Sequence, residues 1–305
     1  MKVLGLIALV MSVCSFAGCL SPAVDLFSHF RIQYAVCLAI VTVIFMVARR
    51  AKLAAAFAVG TAINCAVIAA LWVPPAKLLP VPKSTELSIL DMNLYYGNVQ
   101  YDRVSAEIAK YNPDVIVLEE LSDKMLSQIT GALVNYPYRA YTLRPDAWGI
   151  GVFSKYKLEN VHQNLANLPA SFAMSAEVLI CTRSLTLIGV HTIPQLSLLA
   201  VDLDKKLVQR LTAFNSLHTS DAIMIGDFNA TPWSQFFREL ISTGKFIDSE
   251  QGFGLQPSWP VGILPLSLPI DHCVYTPDCR VLSRKIGDVV GSDHLPVFLR
   301  LSVPQ

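Results

Sequence analysis

Three uncharged apolar runs within the first 73 residues constrain this chain more than any other feature. Residues 3–20 read "VLGLIALVMSVCSFAGCL", about 32–48 read "IQYAVCLAIVTVIFMVA", and 53–73 read "LAAAFAVGTAINCAVIAALWV". Each approaches the ~20 residues a helix needs to cross a hydrocarbon layer. One such run can be the buried helix of a soluble fold, but three in succession predict transmembrane helices at about 3–20, 32–48 and 53–73. The overall hydrophobic content of 53% therefore averages two unlike parts. Up to residue 83 there are seven Lys/Arg and one acid, Asp25, whereas residues 84–305 hold 17 Lys/Arg against 22 Asp/Glu, a net charge of −5.

Basic residues set an expected orientation. Lys2 precedes the first run, and Arg49, Arg50 and Lys52 fill the tight turn between the second and third. The other loop, "SPAVDLFSHFR", sets only Arg31 against Asp25. The positive-inside rule places the N-terminus and the Arg49 turn in the cytoplasm, and three spans then leave the remainder outside. The opening residues also have the form of a lipoprotein signal, with Ala-Gly before Cys19; cleavage there would leave two spans and the same outward-facing remainder. Four prolines in "PPAKLLPVPKSTE" predict an extended linker over 74–85.

From residue 86 the pattern changes to short β-type runs separated by amphipathic stretches. "LSILDMN", "DVIVLEEL", "WGIGVFSK", "SAEVLICT", "LTLIGVHT" and "AIMIGDFN" read as strands rich in Val, Ile and Leu. "PIDHCVYTP" and "DHLPVFLRLSV" add two late strands. Helices are expected in "YDRVSAEIAKY", in the stretch 194–217, and in "PWSQFFRELISTG" from Pro232 to Gly244. Strands outnumber helices and several follow one another directly, which predicts a mixed, layered α/β domain over 86–305 rather than a strict βαβ wind. Gly149 and Gly151 inside a strand pattern signal close backbone approach or a bulge, not a nucleotide loop. Trp148, Trp233 and Trp259 are candidates for lining a cleft, or for packing. Cys273 and Cys279 bracket "VYTPD", read as a hairpin turn, and pairing between them is open in an oxidising compartment.

Polar residues recur where the strands end. Asn93 follows "LSILDM", Glu119 and Glu120 follow "DVIVL", His191 follows "LTLIGV", and Asp227 and Asn229 follow "AIMIG". Asp271 and His272 begin a late strand, and "GSDH" supplies Asp293 and His294 before the last. Packed sheets bring such ends into one cleft. An oxygen-rich cluster suits a hard cation such as Mg²⁺ or Mn²⁺, and several gathered carboxylates need a metal or protonation to offset their repulsion.

The ordered series "DMN", "PDVIVLEEL", "GIGVFSK", "GVHT", "GDFNATPW", "PIDH" and "GSDHLP" resembles the endonuclease/exonuclease/phosphatase superfamily, and the longer runs with the N-terminal helices look most like its bacterial membrane-anchored branch. The resemblance implies two packed mixed β-sheets flanked by helices, a four-layer α/β sandwich, here preceded by a transmembrane helical region. It implies that Asn93 and Glu120 hold the catalytic metal with Asp293 as a further metal-side carboxylate, and that Glu119 stands where the family usually has glutamine. It further implies that Asp227 orients or deprotonates the attacking water and that Asn229 donates to the phosphoryl group or supports the metal. His294 would contact the scissile phosphate, with Asp271 orienting it, and His191 would lie nearby as an acid for the leaving oxygen.

The expected activity is Mg²⁺- or Mn²⁺-dependent phosphodiester or endonuclease-type hydrolysis by in-line water attack, at a bacterial plasma membrane with the site outside the cytoplasm. The expected partners are a phosphodiester, in nucleic acid or a lipid headgroup, and the bilayer itself; no protein partner is indicated. A net −5 body lacks the broad basic surface of a nonspecific nucleic-acid binder. Two alternatives stand beside this reading: a phospholipid- or sphingomyelin-type phosphodiesterase, and a catalytically silent membrane-tethered binding module.

Overall fold

The apolar runs form helices, as their composition requires. In the computed structural model, which describes residues 1–75, 83–164, 172–194, 203, 205–210 and 221–304, three helical stretches are long and apolar enough to cross a membrane: Lys2–Leu20, Pro22–Val47 and Ala51–Trp72. Their regular parts are α1 (Lys2–Cys14), α3 (Arg31–Val47) and α4 (Ala51–Ala69), and the short α2 (Pro22–Asp25) lies between the first two. Tyr34, Leu38, Val41 and Phe57 pack at the centre of this bundle. Where the first and third stretches approach the second, a buried polar layer forms: Asn64 donates to Ser12 Oγ at 2.6 Å and the Arg31 guanidinium lies within 3.4 Å of Asn64 Oδ1.

The rest of the chain contributes twelve strands in two six-stranded sheets. Sheet one has the order β11-β12-β1-β2-β4-β3 and sheet two β5-β6-β7-β8-β10-β9. The strands are β1 (Ser84–Asn93), β2 (Val115–Glu119), β3 (Tyr138–Thr142), β4 (Ile150–Ser154), β5 (Leu158–His162), β6 (Phe172–Ile180), β7 (Arg183–His191), β8 (Ala222–Asp227), β9 (Ile247–Asp248), β10 (Asp271–Tyr275), β11 (Arg280–Ile286) and β12 (Val297–Pro304). Each sheet contains one parallel pair, β1 with β2 and β7 with β8, and the other pairings are antiparallel. Strand alternation decides what packs where. Leu87, Ile89, Val115 and Val117 meet Leu187, Ile223, Ile225 and Cys273 in a core between the sheets. The intervening residues turn outward: Leu90, Met92, Ile116 and Leu118 pack with α5 (Tyr101–Tyr111) and α6 (Asp123–Ile129). Ile188, Val190 and Met224 pack with the helical stretch 205–210 and with α7 (Gln235–Gly244). The result is the four-layer α/β sandwich that the resemblance implies.

Several boundaries differ from expectation. The helix expected from Pro232 begins instead at Gln235, because the Ser234 side chain accepts the Phe237 N–H at 3.1 Å and caps it. Of the helix expected over 194–217, residues 205–210 are helical and 195–202, 204 and 211–217 lie outside the described residues. The segment after Cys273 is not a hairpin turn: β10 and β11 belong to different sheets, and the chain crosses between them. Cys273 and Cys279 are buried free thiols, like the other five cysteines free of any disulfide. Gly149 meets the expectation of close approach, since a Cβ there would overlap the Leu121 carbonyl. Residues 76–82 of the expected linker lie outside the described residues, and β1 begins at Ser84.

Candidate active site

The site grows from the same alternation that builds the core. In β1 the inward series Leu87, Ile89 continues to Asp91 and Asn93; in β2, Val115 and Val117 lead to Glu119. In sheet two, Leu187 leads to His191, Ile223 and Ile225 to Asp227, and Asp271 opens β10 two residues before Cys273. Cross-strand register then sets them side by side: Asn93 opposite Glu119, His191 opposite Asp227, and Asp227 opposite Asp271. Thus one end of the inter-sheet space changes from apolar to polar, with Asp91, Asn93, Glu119, His191, Asp227 and Asp271 all buried.

Asp227 is the hub of this group. Its Oδ1 accepts the Asn229 N–H at 2.7 Å, and its Oδ2 accepts Asn93 Nδ2 at 3.1 Å and Asn229 Nδ2 at 3.2 Å. His191 Nε2 lies 3.6 Å and His294 Nε2 3.8 Å from the same Oδ2. Asn229 stands at φ +46°, a left-handed turn that asparagine tolerates, and its amide also donates to the Thr192 carbonyl at 2.8 Å. The "GSDH" loop is tied down by Ser292, whose hydroxyl donates to Asn93 O at 2.7 Å and accepts His294 N–H at 3.0 Å. His294 Nδ1 faces both Asp271 oxygens at 3.0 and 3.1 Å.

Glu120 and Glu119 part company at the end of β2. Glu120 takes φ +55° and leaves the strand, so that its Oε1 accepts Asn93 Nδ2 at 3.3 Å and its Oε2 the Tyr96 N–H at 2.8 Å. Glu119 stays between the sheets, fully buried, with its carboxyl against that of Asp91. Asp293 is exposed at the rim, its Oδ2 accepting Trp259 Nε1 at 3.0 Å. The structure therefore brings Asn93, Glu120, Asp227, Asn229, His191, Asp271 and His294 into one cluster and leaves Asp293 at its mouth.

Electrostatics follow from burial and crowding. Burial pushes the Asp227 carboxyl up to about 7, with Asp271 adding to the rise and His294 opposing it. Burial and then the neighbouring carboxylates hold Glu119 and Asp91 well above the usual carboxylate range. Burial disfavours charge on His294, yet Asp271 and Asp227 outweigh it and lift the imidazolium to about 10. Burial, aided by His294, holds His191 down to about 4, so that ring is neutral. Asp271 stays below its ordinary value because the facing His294 charge overcomes its burial.

The donor set fits a divalent cation. Among the described residues, Asp227, Asp271 and His294 each have a potential ligand atom within 4.8 Å of one another, and the Asn93 side-chain amide links Asp227 to the Glu120 carboxylate. Burial and the nearby Asp227 and Asp271 hold the Asp91 and Glu119 carboxyls high, a crowding that protonation relieves and that a cation would also offset.

A model of the Endonuclease/Exonuclease/phosphatase family matches residues 92–294, two thirds of the chain, and its span contains every residue of this cluster except Asp91. The chain belongs to this family. Its members are metal-dependent phosphoric ester hydrolases, and so is this protein. No curated protein matches it. Among solved structures, a family protein from Bacteroides thetaiotaomicron superposes with a TM-score of 0.60 at 15% identity, covering 72% of this chain and 96% of that one. The 3′ phosphatase NExo from Neisseria, bound to a product DNA hairpin, gives 0.60 at 19% identity, covering 70% and 98%. ANGEL2, a 2′,3′-cyclic phosphatase solved with adenosine-2′,3′-vanadate, gives 0.60 at 12%, covering 74% and 98%. At these identities the likeness is one of fold.

Within this endonuclease/exonuclease/phosphatase domain, sequence reading missed Asp91, Ser292, Arg284, the contact of Trp259, and Ser258, whose Oγ accepts the Asp271 N–H at 3.3 Å. Asp91 was accessible to it, lying two residues before Asn93 on the same strand face. Ser292 lies inside "GSDH" but carries no signal of its own. Arg284, which donates to the Asp271 carbonyl at 2.9 Å, sits on a polar edge strand with no motif around it. Of the three tryptophans, Trp148 packs its ring 5.0 Å from His191, Trp259 reaches Asp293, and Trp233 is buried beside α7.

Proposed function

We propose that this protein is a membrane-anchored phosphodiesterase that hydrolyses its substrate by in-line attack of water, with Mg²⁺ or Mn²⁺ bound by Asn93, Glu120 and Asp293. Such a cation, when bound, neutralises charge on the phosphoryl and leaving oxygens. The observation that carries the reading is the setting of Asp227. A carboxylate raised to about 7 by burial, oriented by two asparagine amides, is matched to receive a proton from water near neutral pH. Asn229 and the charged His294 face the position of the phosphoryl oxygens, with Asp271 fixing the His294 ring. His191 is neutral and steadies Asp227 from the adjoining strand, which leaves His294 as the proton-bearing imidazole. The basic turn of Arg49, Arg50 and Lys52 favours an extracytoplasmic site, because the catalytic domain follows the opposite end of the bundle.

The test uses the full chain in nanodiscs with Mg²⁺, Mn²⁺ or chelator, against DNA, RNA, phospholipid and a small chromogenic phosphodiester. Asp227→Asn is expected to lower turnover by about 10²–10⁴-fold with an unchanged melting temperature. An active Asp227→Asn protein, or wild-type turnover indifferent to chelator, overturns the assignment.

A further inference from the structure

The catalytic domain is held against one end of the helical bundle by polar contacts that fix its tilt. The Asp25 carboxylate accepts the Gln235 N–H at 2.8 and 3.0 Å, and His29 Nδ1 accepts the Thr231 N–H at 3.2 Å. The Leu71 carbonyl accepts the N–H groups of Gly252 and Gly254 at 2.8 and 3.1 Å, and the Trp72 ring fills the space where a Gly254 side chain would stand. Asp25, His29, Thr231 and Leu71 are all buried by this docking.

One loop joins that end of the bundle to the mouth of the site. At one side Trp259 Nε1 donates to Asp293 Oδ2, its ring lies 6.2 Å from that of His294, and Val261 N–H donates to Asp293 O at 2.9 Å. At the other side the Pro265 carbonyl accepts Gln33 Nε2, in the first turn of α3, at 3.0 Å. On this loop Ile263 and Leu266, either side of Pro265, stand 50% and 54% exposed. Residues 251–270 contain no Asp, Glu, Lys or Arg at all. The bundle presents the same character at this end, where Leu20, Phe30, Trp72 and Val73 are exposed.

Large apolar side chains held at the level where membrane helices end have the bilayer surface as their cover; aromatic and aliphatic residues concentrate at that boundary. We infer that the 261–266 loop inserts at the bilayer surface, and that the adjoining site takes the phosphodiester of a phospholipid headgroup from that leaflet. Water adds to phosphorus as the bond to the lipid alcohol oxygen breaks. The water proton passes to Asp227, the lipid alcohol leaves with a proton drawn from the site or solvent, and the headgroup departs as a phosphomonoester. A lipid presents its phosphate at the height of this mouth, whereas a nucleic acid would have to press a polyanion against both the membrane and a domain of net charge −5. The inference rests on the proposed phosphodiesterase chemistry and specifies its substrate.

The experiment compares wild type with Ile263→Glu/Leu266→Glu, full chains in vesicles of phosphatidylethanolamine and phosphatidylglycerol with Mg²⁺. Diacylglycerol release is read beside turnover of a soluble chromogenic phosphodiester. The expected result is at least a tenfold loss on vesicle lipid with soluble turnover unchanged. Equal lipid hydrolysis by both proteins overturns the interfacial loop. Wild-type turnover of soluble phosphodiester or nucleic acid without lipid hydrolysis overturns the lipid substrate and leaves the chemistry standing. No turnover of any phosphodiester refutes the underlying phosphodiesterase reading and the substrate inference with it. Insertion is read independently with Ile263→Trp in vesicles of brominated phospholipid: added fluorescence quenched by the bromines is expected, and unquenched emission overturns insertion.

Discussion

Glu119 ends β2 facing the space between the sheets, whereas Glu120 takes φ +55° and turns back over Asn93. Alternation already put Glu119 inward, on the face of Val115 and Val117; the left-handed turn that redirects Glu120 has no mark in "VLEEL". Burial, with the neighbouring Asp91, pushes the Glu119 carboxyl toward its neutral form, and a neutral carboxylic acid is close in shape and hydrogen-bonding capacity to glutamine. Glu119→Gln is therefore expected to change kcat/KM by no more than a few-fold. Glu120→Gln removes a carboxylate proposed to hold the metal and is expected to cost about 10²-fold or more, partly recovered at high Mn²⁺. Steady-state kinetics over a metal titration measures both, and the reverse ranking would transfer the ligand role to Glu119. The same two-residue period made most of the cluster legible, because Asn93, His191, Asp227 and Asp271 each extend an apolar strand face. Side chains from loops, such as Ser292, and from edge strands, such as Arg284, were not legible, since their placement depends on distant segments of chain.

At the scale of elements, the strands absent from the sequence reading are β3, β5, β9 and β11, and these are the four edges of the two sheets. Edge strands bury little and carry polar or charged residues, as "YRAYT", "LENVH" and "RVLSRKI" do, so they lack the apolar signal of the centre. Two of them bring buried charge to the domain. β9 ends on the buried Asp248, the turn after it buries Glu250, and β11 supplies the buried Arg284, whose Nε donates to Ser249 Oγ at 3.2 Å. Burial lifts Asp248 to about 6 and Glu250 to about 8, with Arg284 opposing each. Above their unfolded values the unfolded chain releases protons that the folded chain still holds, so it binds fewer protons and stability falls as pH rises. The loss runs from about pH 4.5 to 8, at no more than about 1.4 kcal/mol per pH unit for each group. Glu250→Gln preserves an acceptor for the Gln256 N–H, seen at 2.7 Å, and removes one of these titrations. Its melting temperature is expected to decline less steeply than wild type between pH 5 and 8; parallel curves would show that Glu250 does not hold its proton in the folded state.

At the scale of the whole molecule, composition separates an apolar head from a layered α/β body, but four prolines between them suggested only an extended tether. The docking contacts lie in residues that carry no motif: Asp25 ends α2 and His29 lies in the helical turn after it, a segment whose charge balance alone was legible, and their partners Gln235 and Thr231 are backbone donors at and before the start of α7. A carboxylate accepting a main-chain N–H makes a charge-assisted bond, commonly contributing about 1.5–3 kcal/mol, and burial shields it from salt. Docking of this kind should outlast the covalent link. A protease site placed within 76–82 of the full chain, cleaved after reconstitution into vesicles, tests it by sedimentation. The cleaved catalytic domain is expected to remain with the vesicles at 0.15 M and at 0.5 M salt, because neither the buried contacts nor the apolar 261–266 loop is screened. Asp25→Ala/His29→Ala removes both side chains that hold the 231–235 turn. Cleavage of that variant is expected to release at least several times more domain into the supernatant, with unchanged melting of the released domain. Equal release from the two proteins would mean that residues 76–82, and not the docked surface, keep the active site at the membrane.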